Sequence, residues 1–286
     1  MSKNHESRRQ IIMSLKGKIL LHGQTDIGSV RDHNEDAIGC DDNIALAVLA
    51  DGMGGHRGGE MASAITVSTI LEYILNKTKD IKTGETDEAT GYSSESLAIH
   101  EAVTLANKNV HDSSEANAQY RGMGTTVVVA MFYDNRFSVA HVGDSRLYRY
   151  RDGELEQITR DHSLMQELID RGFYTPEQAR NSLNKNLVTR AVGIDANVQI
   201  DIQEDVVMVD DIYLLCSDGV TDMIEDKLIK SAIMTNSNNL ELAASEIIKL
   251  ANEHGGKDNI SALLVKPVKS FPAKNGLFSR FFDLFS

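Results

Sequence analysis

The stretch IALAVLADGMGGHRGGE, residues 44–60, constrains this chain more than any other. Seven apolar residues, Ile44 to Ala50, stop at Asp51, and five of the next eight residues are glycine. The apolar run reads as a buried strand that ends on a carboxylate. Glycine permits positive φ and lets the main chain approach a ligand or another backbone closely. Phosphate would be the obvious ligand, yet neither Gly-rich nucleotide pattern fits. Arg57 falls where the last glycine of G-x-G-x-x-G should be, and no Lys follows for G-x-x-x-x-G-K-[ST].

The rest of the chain narrows the class. A length of 286 residues, 41% hydrophobic and 25% charged, suits a soluble globular protein with a sizeable core. The net charge of −13 disfavours sequence-independent binding to nucleic acid or anionic membrane. Two distant cysteines, Cys40 and Cys216, give no disulfide framework and fit a reducing cytoplasm. No segment approaches the ~18 apolar residues of a membrane span. Residues 1–18 read as a flexible basic arm, with an apolar stretch too short for a signal peptide. Five of the eight phenylalanines lie in residues 271–286. Their near-helical spacing suggests a short helix docked on its own domain, or else an anchor for a partner or a membrane surface.

Residues 19–50 read as strands and 60–77 as a helix with the stripe Val67, Ile70, Leu71, Ile74 and Leu75. A polar loop (78–94) precedes a second helix near 95–111. TTVVVAMF, RFSVAHV and RLYRYRDG then follow as strands with YDN and GDS between them, which argues antiparallel hairpins. Residues 160–186 are helical or irregular, VQIDIQ, VVMV and IYLLCS return to strand, and a last helix near 240–253 precedes ISALLVK. Strands and helices come in blocks, not in strict βαβ alternation, so one α+β domain is expected, with no parallel nucleotide-binding sheet.

Acids flank the apolar strands repeatedly. Asp51 follows IALAVLA, Asp218 follows IYLLCS, Asp144 ends FSVAHVG, Asp258 precedes ISALLV, and Glu35 and Asp36 lie in RDHNEDA. Each alone is an ordinary turn or cap residue. Converging, they would need cations, and an all-oxygen set selects Mg²⁺ or Mn²⁺. Two such ions about 3.5–4 Å apart drive phosphoester hydrolysis in known sites.

RDHNEDA, ADGMGG, GTT, AHVGDSRLY, TRDHSL, CSDG and GKDNISALLV occur in one order between about Leu21 and Lys266. In this the chain resembles the metal-dependent serine/threonine protein phosphatases, the type 2C or PPM family, in its compact bacterial form. The resemblance implies a four-layer αββα sandwich: two antiparallel sheets flanked by helices, with metals at one end. It implies that Asp51 bridges two Mn²⁺ or Mg²⁺ ions, one of them also touched by the Gly52 carbonyl. Asp218 and Asp258 would be further ligands, with Glu35 and Asp36 acting directly or through water. Asp144 with Asp218 would hold a third, weaker ion, and Arg31 would clamp the phosphate. The implied reaction is attack of a metal-bridging hydroxide on phosphoserine or phosphothreonine, without a covalent intermediate.

The animal-type members carry histidine where this chain has Met53, which donates no proton. A metal-bound water is therefore the expected leaving-group acid, with His56 the lesser candidate; His141 and His162 read as structural. Residues 163–186 correspond to the family's flap, where Ser163 opens the segment and Gly172 and Pro176 break it, and it is expected to choose substrates. The expected layout is an arm (1–18), a phosphatase domain (19–268) and a Phe-rich tail (269–286). Phosphoproteins are the expected substrates of a cytoplasmic monomer that opposes a serine/threonine kinase. The competing reading is a catalytically weak phosphoprotein-binding module of the same fold; the full carboxylate set and Arg31 weigh against it.

Overall fold

An apolar run must be covered on both faces, and Leu46–Ala50 show how. The computed structural model describes residues 15–54, 57–175, 177–178, 182 and 187–273. Among them, one antiparallel sheet has the order β1 (Ile19–Asp26), β11 (Ile260–Pro267), β10 (Ile212–Cys216), β7 (Arg146–Arg151), β8 (Glu154–Gln157). The other runs β2 (Asp36–Asp41), β3 (Leu46–Met53), β5 (Val127–Tyr133), β6 (Arg136–Val142), β9 (Asp201–Val206), with short β4 (Gly124–Thr125) on the end of β3. Helices α1 (Gly58–Lys77) and α2 (Ser94–Ala116) cover the second sheet. Helices α4 (Asp218–Thr221), α5 (Asp226–Thr235) and α6 (Leu240–Glu253) cover the first. Leu46, Val48 and Ala50 of β3 pack with Ile70, Ile74 and Ile99 under the helices. Ala47 and Leu49 face Leu215 and Leu263 across the sheet–sheet core. This is the αββα sandwich.

Strand direction fixes two poles. β3, β6 and β10 run toward Asp51, Asp144 and Asp218, whereas β5, β9 and β11 run away from them. At the far pole Asp134 and Asn135, both at positive φ, form the two-residue turn between β5 and β6. Asn135 Oδ1 accepts the Phe271 N–H (2.6 Å) and the Ser270 hydroxyl (3.1 Å), while Asp134 Oδ1 accepts the Ala273 N–H (2.7 Å). Phe271, 2% exposed, thereby enters the sheet–sheet core. Residues 274–286, where the helical Phe spacing lies, are outside the described residues. At the other end of the chain, Leu15 is buried in the same core, inside the stretch that composition assigned to the arm.

Two expectations change. Of VVMV only Val206 belongs to β9, because Val207–Val209 lead into the turn where Met208 N–H donates to Asp211 Oδ2 (2.8 Å). Helix α5 lies in a region given no element from sequence; Ile229, Ala232 and Ile233 form its buried face.

Ser93 caps α2, and Glu204 Oε1 accepts the Ser93 N–H (2.8 Å), the Ser93 hydroxyl (2.7 Å) and the Ser96 hydroxyl. Beside this network Glu95 is fully buried, and neither carboxylate oxygen has a hydrogen-bond partner. Burial is the main cause pushing its pKa up to about 7; polar contact with its own backbone N–H and with Thr83 opposes this, and Asp134 and Glu204 add to it. A folded-state pKa above the unfolded value means stability present below about 4.5 and lost as pH rises through about 7. Urea titrations across this window should show wild type falling relative to Glu95→Gln by on the order of 3 kcal/mol. Parallel curves would remove Glu95 as the cause. Phe271→Ala should cost about 3–5 kcal/mol in the same assay, because it empties a core position.

Candidate metal centre

The near pole is built from strand ends of both sheets. In the β2–β3 ladder Asp36 stands opposite Asp51. Asp218 lies two residues after β10 and opens α4; Asp258 lies two residues before β11. Asp144 occupies the β6–β7 turn. The GTT segment fixes Asp51 by its main chain. Thr126 Oγ1 accepts the Asp51 N–H (3.1 Å), and the Asp51 carbonyl accepts the Thr126 N–H (2.8 Å) and the Thr125 hydroxyl (2.7 Å). Asp36 ties the sheets together, its Oδ2 accepting hydroxyls from Ser217 (2.9 Å) and Ser261 (2.6 Å).

The glycines after Asp51 now have a purpose. A Cβ on Gly52 would lie 2.2 Å from the Gly59 carbonyl oxygen and 2.6 Å from that of Glu35. One on Gly59 would lie 2.8 Å from Glu35 Oε1. The end of β3 and the first turn of α1 therefore meet backbone to backbone, with the Glu35 segment between them. Gly52 N–H donates to the Glu35 carbonyl (3.1 Å), which also accepts the Ser63 hydroxyl (2.6 Å).

The acids repel one another inside the protein. Burial and then Asp36, Asp218, Asp144 and Asp258 hold Asp51 well above the usual carboxylate range. Asp218 is raised likewise, by burial and then by Asp144 and Asp258. Asp36 is pushed up to about 6 by burial, partly offset by the two serine hydroxyls. Asp144 also reaches about 6, through burial and then Asp161. Glu35 is raised by burial, with Arg31 opposing and Asp258 adding. Glu35 Oε1 and Asp36 Oδ1 are buried without any hydrogen-bond partner. Oxygen donors in excess, with orphaned atoms among them, fit hard divalent cations. On the rim Arg31 Nη2 donates to Asp258 Oδ2 (2.6 Å). Burial disfavours its charge, and Asp258, Glu35 and Asp218 more than offset that, so it stays cationic.

The sequence profile of a family described as protein phosphatase 2C matches residues 28–253. The chain belongs to that family. Similar phosphatase 2C relatives include serine/threonine phosphatase stp of Listeria monocytogenes, 36% identical over 85% of this chain and 94% of its own length. The solved structure of Mycobacterium tuberculosis serine/threonine phosphatase PstP/Ppp has a TM-score of 0.76 at 32% identity, covering 89% of this chain and 99% of its own. The PstP catalytic domain in complex with two manganese ions gives a TM-score of 0.73 at 33% identity, covering 87% and 97%. The phosphatase 2C profile stops short of Asp258, which the fold brings to Arg31.

Several residues of this phosphatase 2C chain fall elsewhere. Ser163 is buried and caps α3 (Leu164–Asp170), its hydroxyl accepting the Gln166 N–H (3.2 Å); Gly172, at φ +74°, lies just past the helix end. His56 and Pro176 are outside the described residues. His162 pins TRDHSL to the Asp144 turn, since its Nδ1 accepts the Gly143 N–H (3.1 Å) and its own N–H donates to the Gly143 carbonyl (2.9 Å). His141 stacks on it at 4.6 Å, and burial holds both rings below the usual histidine range. With Asp201 these two histidines bring ligand atoms within 4.8 Å of one another. His162 Nδ1 already takes the Gly143 N–H, His141 Nε2 lies 2.8 Å from the Arg160 carbonyl, and Arg190 Nη1 lies 2.9 Å from Asp201 and 3.2 Å from His162 Nε2. The trio is a packing contact. The roles of Thr126, Ser217 and Ser261 went unread in the sequence, although each stands in a quoted motif, Ser217 directly before Asp218.

Removing one acid should relieve repulsion. Asp51→Asn and Asp218→Asn should each stabilise the metal-free protein by about 1–3 kcal/mol and lose most of the rise in Tm that Mn²⁺ gives wild type. Thermal melts in chelator and in Mn²⁺ test both halves; an unchanged Mn²⁺ response in both variants would exclude this cluster as the metal centre.

Proposed function

We propose that this chain hydrolyses phosphoserine and phosphothreonine on proteins, with Mn²⁺ or Mg²⁺ held by Asp51, Asp218, Asp258, Glu35 and Asp36. Two core ions and a weaker third, on Asp144 and Asp218, belong to this reading. The observation that carries it is the convergence of buried carboxylates, two with orphaned oxygens, beside an arginine at one open rim. When bound, such cations acidify water and offset charge on a phosphoryl group. Arg31, 47% exposed at its side chain, offers a planar fork of donors to phosphoryl oxygens, and Asp258 holds that fork at the rim. Met53, at the end of β3, carries no transferable proton, so the residue after Asp51–Gly52 does not protonate the leaving group.

Substrate choice is assigned to residues 163–186. Phe173 is 70% exposed and lines, with Tyr174, Glu177, Gln178 and Ser182, a cavity of about 630 Å³. An aromatic pair beside polar side chains suits a peptide. The reading extends to a cytoplasmic monomer opposing a serine/threonine kinase; two free cysteines support a reducing compartment. Among the described residues no helix is long and apolar enough to cross a membrane.

The test is turnover of a phosphothreonine peptide in Mn²⁺, in Mg²⁺ and in chelator. Metal-dependent hydrolysis is expected, abolished by Asp218→Asn and reduced roughly 10- to 100-fold in kcat/KM by Arg31→Ala. A folded, metal-loaded protein without turnover would favour the binding-module reading instead.

A further inference from the structure

Residues 27–35 carry Arg31 from the end of β1 to Glu35 and Asp36. One buried side chain holds this segment at both ends. Asn259, 4% exposed, donates from Nδ2 to the Ile27 carbonyl (2.9 Å) and to the His33 carbonyl (2.8 Å), and its Oδ1 accepts the Glu35 N–H (2.8 Å). Its own N–H donates to Asp258 Oδ1 (2.8 Å), the carboxylate whose other oxygen takes Arg31. Its carbonyl passes so close to Gly219 that a Cβ there would lie 1.9 Å away, directly after Asp218. Two donors and an acceptor on a short planar group meet three main-chain partners. Aspartate lacks the donors, and leucine, of similar shape, lacks all three contacts.

We propose that Asn259 is a positioning residue that sets the Arg31 loop against the acidic cluster, so that phosphate affinity depends on Asn259 through Arg31. This rests on the phosphatase reading of the rim. Other ties also hold the loop: Ser29 N–H donates to the Gly256 carbonyl (2.7 Å) and Asn34 Nδ2 to Thr25 Oγ1 (2.8 Å). These leave the main chain around Arg31 pinned beyond its flanks, and the Asn259 amide bridges the two arms directly. Without it, Arg31 keeps its charge and loses its fixed place.

Calorimetric binding of inorganic phosphate to the full chain in saturating Mn²⁺ tests this with a double-mutant cycle. Asn259→Leu should weaken phosphate at least tenfold, Arg31→Ala by a similar factor, and the double variant no more than twofold beyond Arg31→Ala alone. Asn259→Ser, which keeps a small polar side chain, repeats the cycle should the leucine variant not fold. Phosphate affinity within twofold of wild type in the folded Asn259 variant would overturn the proposal. So would losses that multiply in the double variant, which would place Asn259 outside the action of Arg31. Failure of wild type to bind phosphate would overturn it as well. The readout is binding, so phosphate affinity that follows the expected cycle supports the positioning role even where wild type shows no turnover, and absent turnover would then count against the phosphatase reading alone.

Discussion

Mutual repulsion among buried carboxylates is the constraint around which the molecule is arranged. Asp36 and Asp144 are buried and Asp51 and Asp218 half-buried, and burial together with their like charges raises the cost of ionising them. A pliable scaffold would let them splay apart. Here Asp51 is fastened at the end of a strand covered on both faces, through main-chain bonds that do not use its carboxyl group, and Asp36 is held through one carboxylate oxygen by Ser217 and Ser261. Stability is spent at the rim so that affinity for a cation can be gained there.

The rim draws on both sheets, so the apolar interior between them is part of the site. Asp51 comes from one sheet, Asp218 and Asp258 from the other, and Asp36 reaches across to Ser217 and Ser261. A small slide of one sheet over the other would separate the acids without breaking a strand. Phe132, Phe137 and Tyr213 interlock with ring centroids 5.0–5.9 Å apart in that interior. Substitutions there would alter the geometry of a site they never touch.

Much of this was legible in the chain because apolar runs ending on acids are local signals. The β3 run, α1, α2 and α6 stood out by period, and seven ordered motifs resembled one family across most of the chain. What escaped was non-local. Nothing along the chain shows that Ser261 will share Asp36 with Ser217, or that the hydroxyls of GTT will hold Asp51. Val207–Val209 look like strand by composition, yet they lead into a turn closed by Met208 N–H on Asp211 Oδ2 with Asp210 at positive φ. The closeness of Gly52 to Gly59 explains a glycine-rich loop that invited a phosphate-cradle reading, since two main chains meet there and a side chain would part them.

Leu15 and Phe271 both enter the interior at the pole far from the acids. The described fold is thus gripped at its base and open at its top, like a tool held by its handle. Surface attachment or fusion through residues beyond 273 would leave the rim facing outward, free to meet a bulky phosphoprotein. Anchoring through the loops around Arg31 or Asp144 would bury the working face instead. The same geometry gives evolution room to append or trade segments at the base while the rim stays under a separate set of constraints.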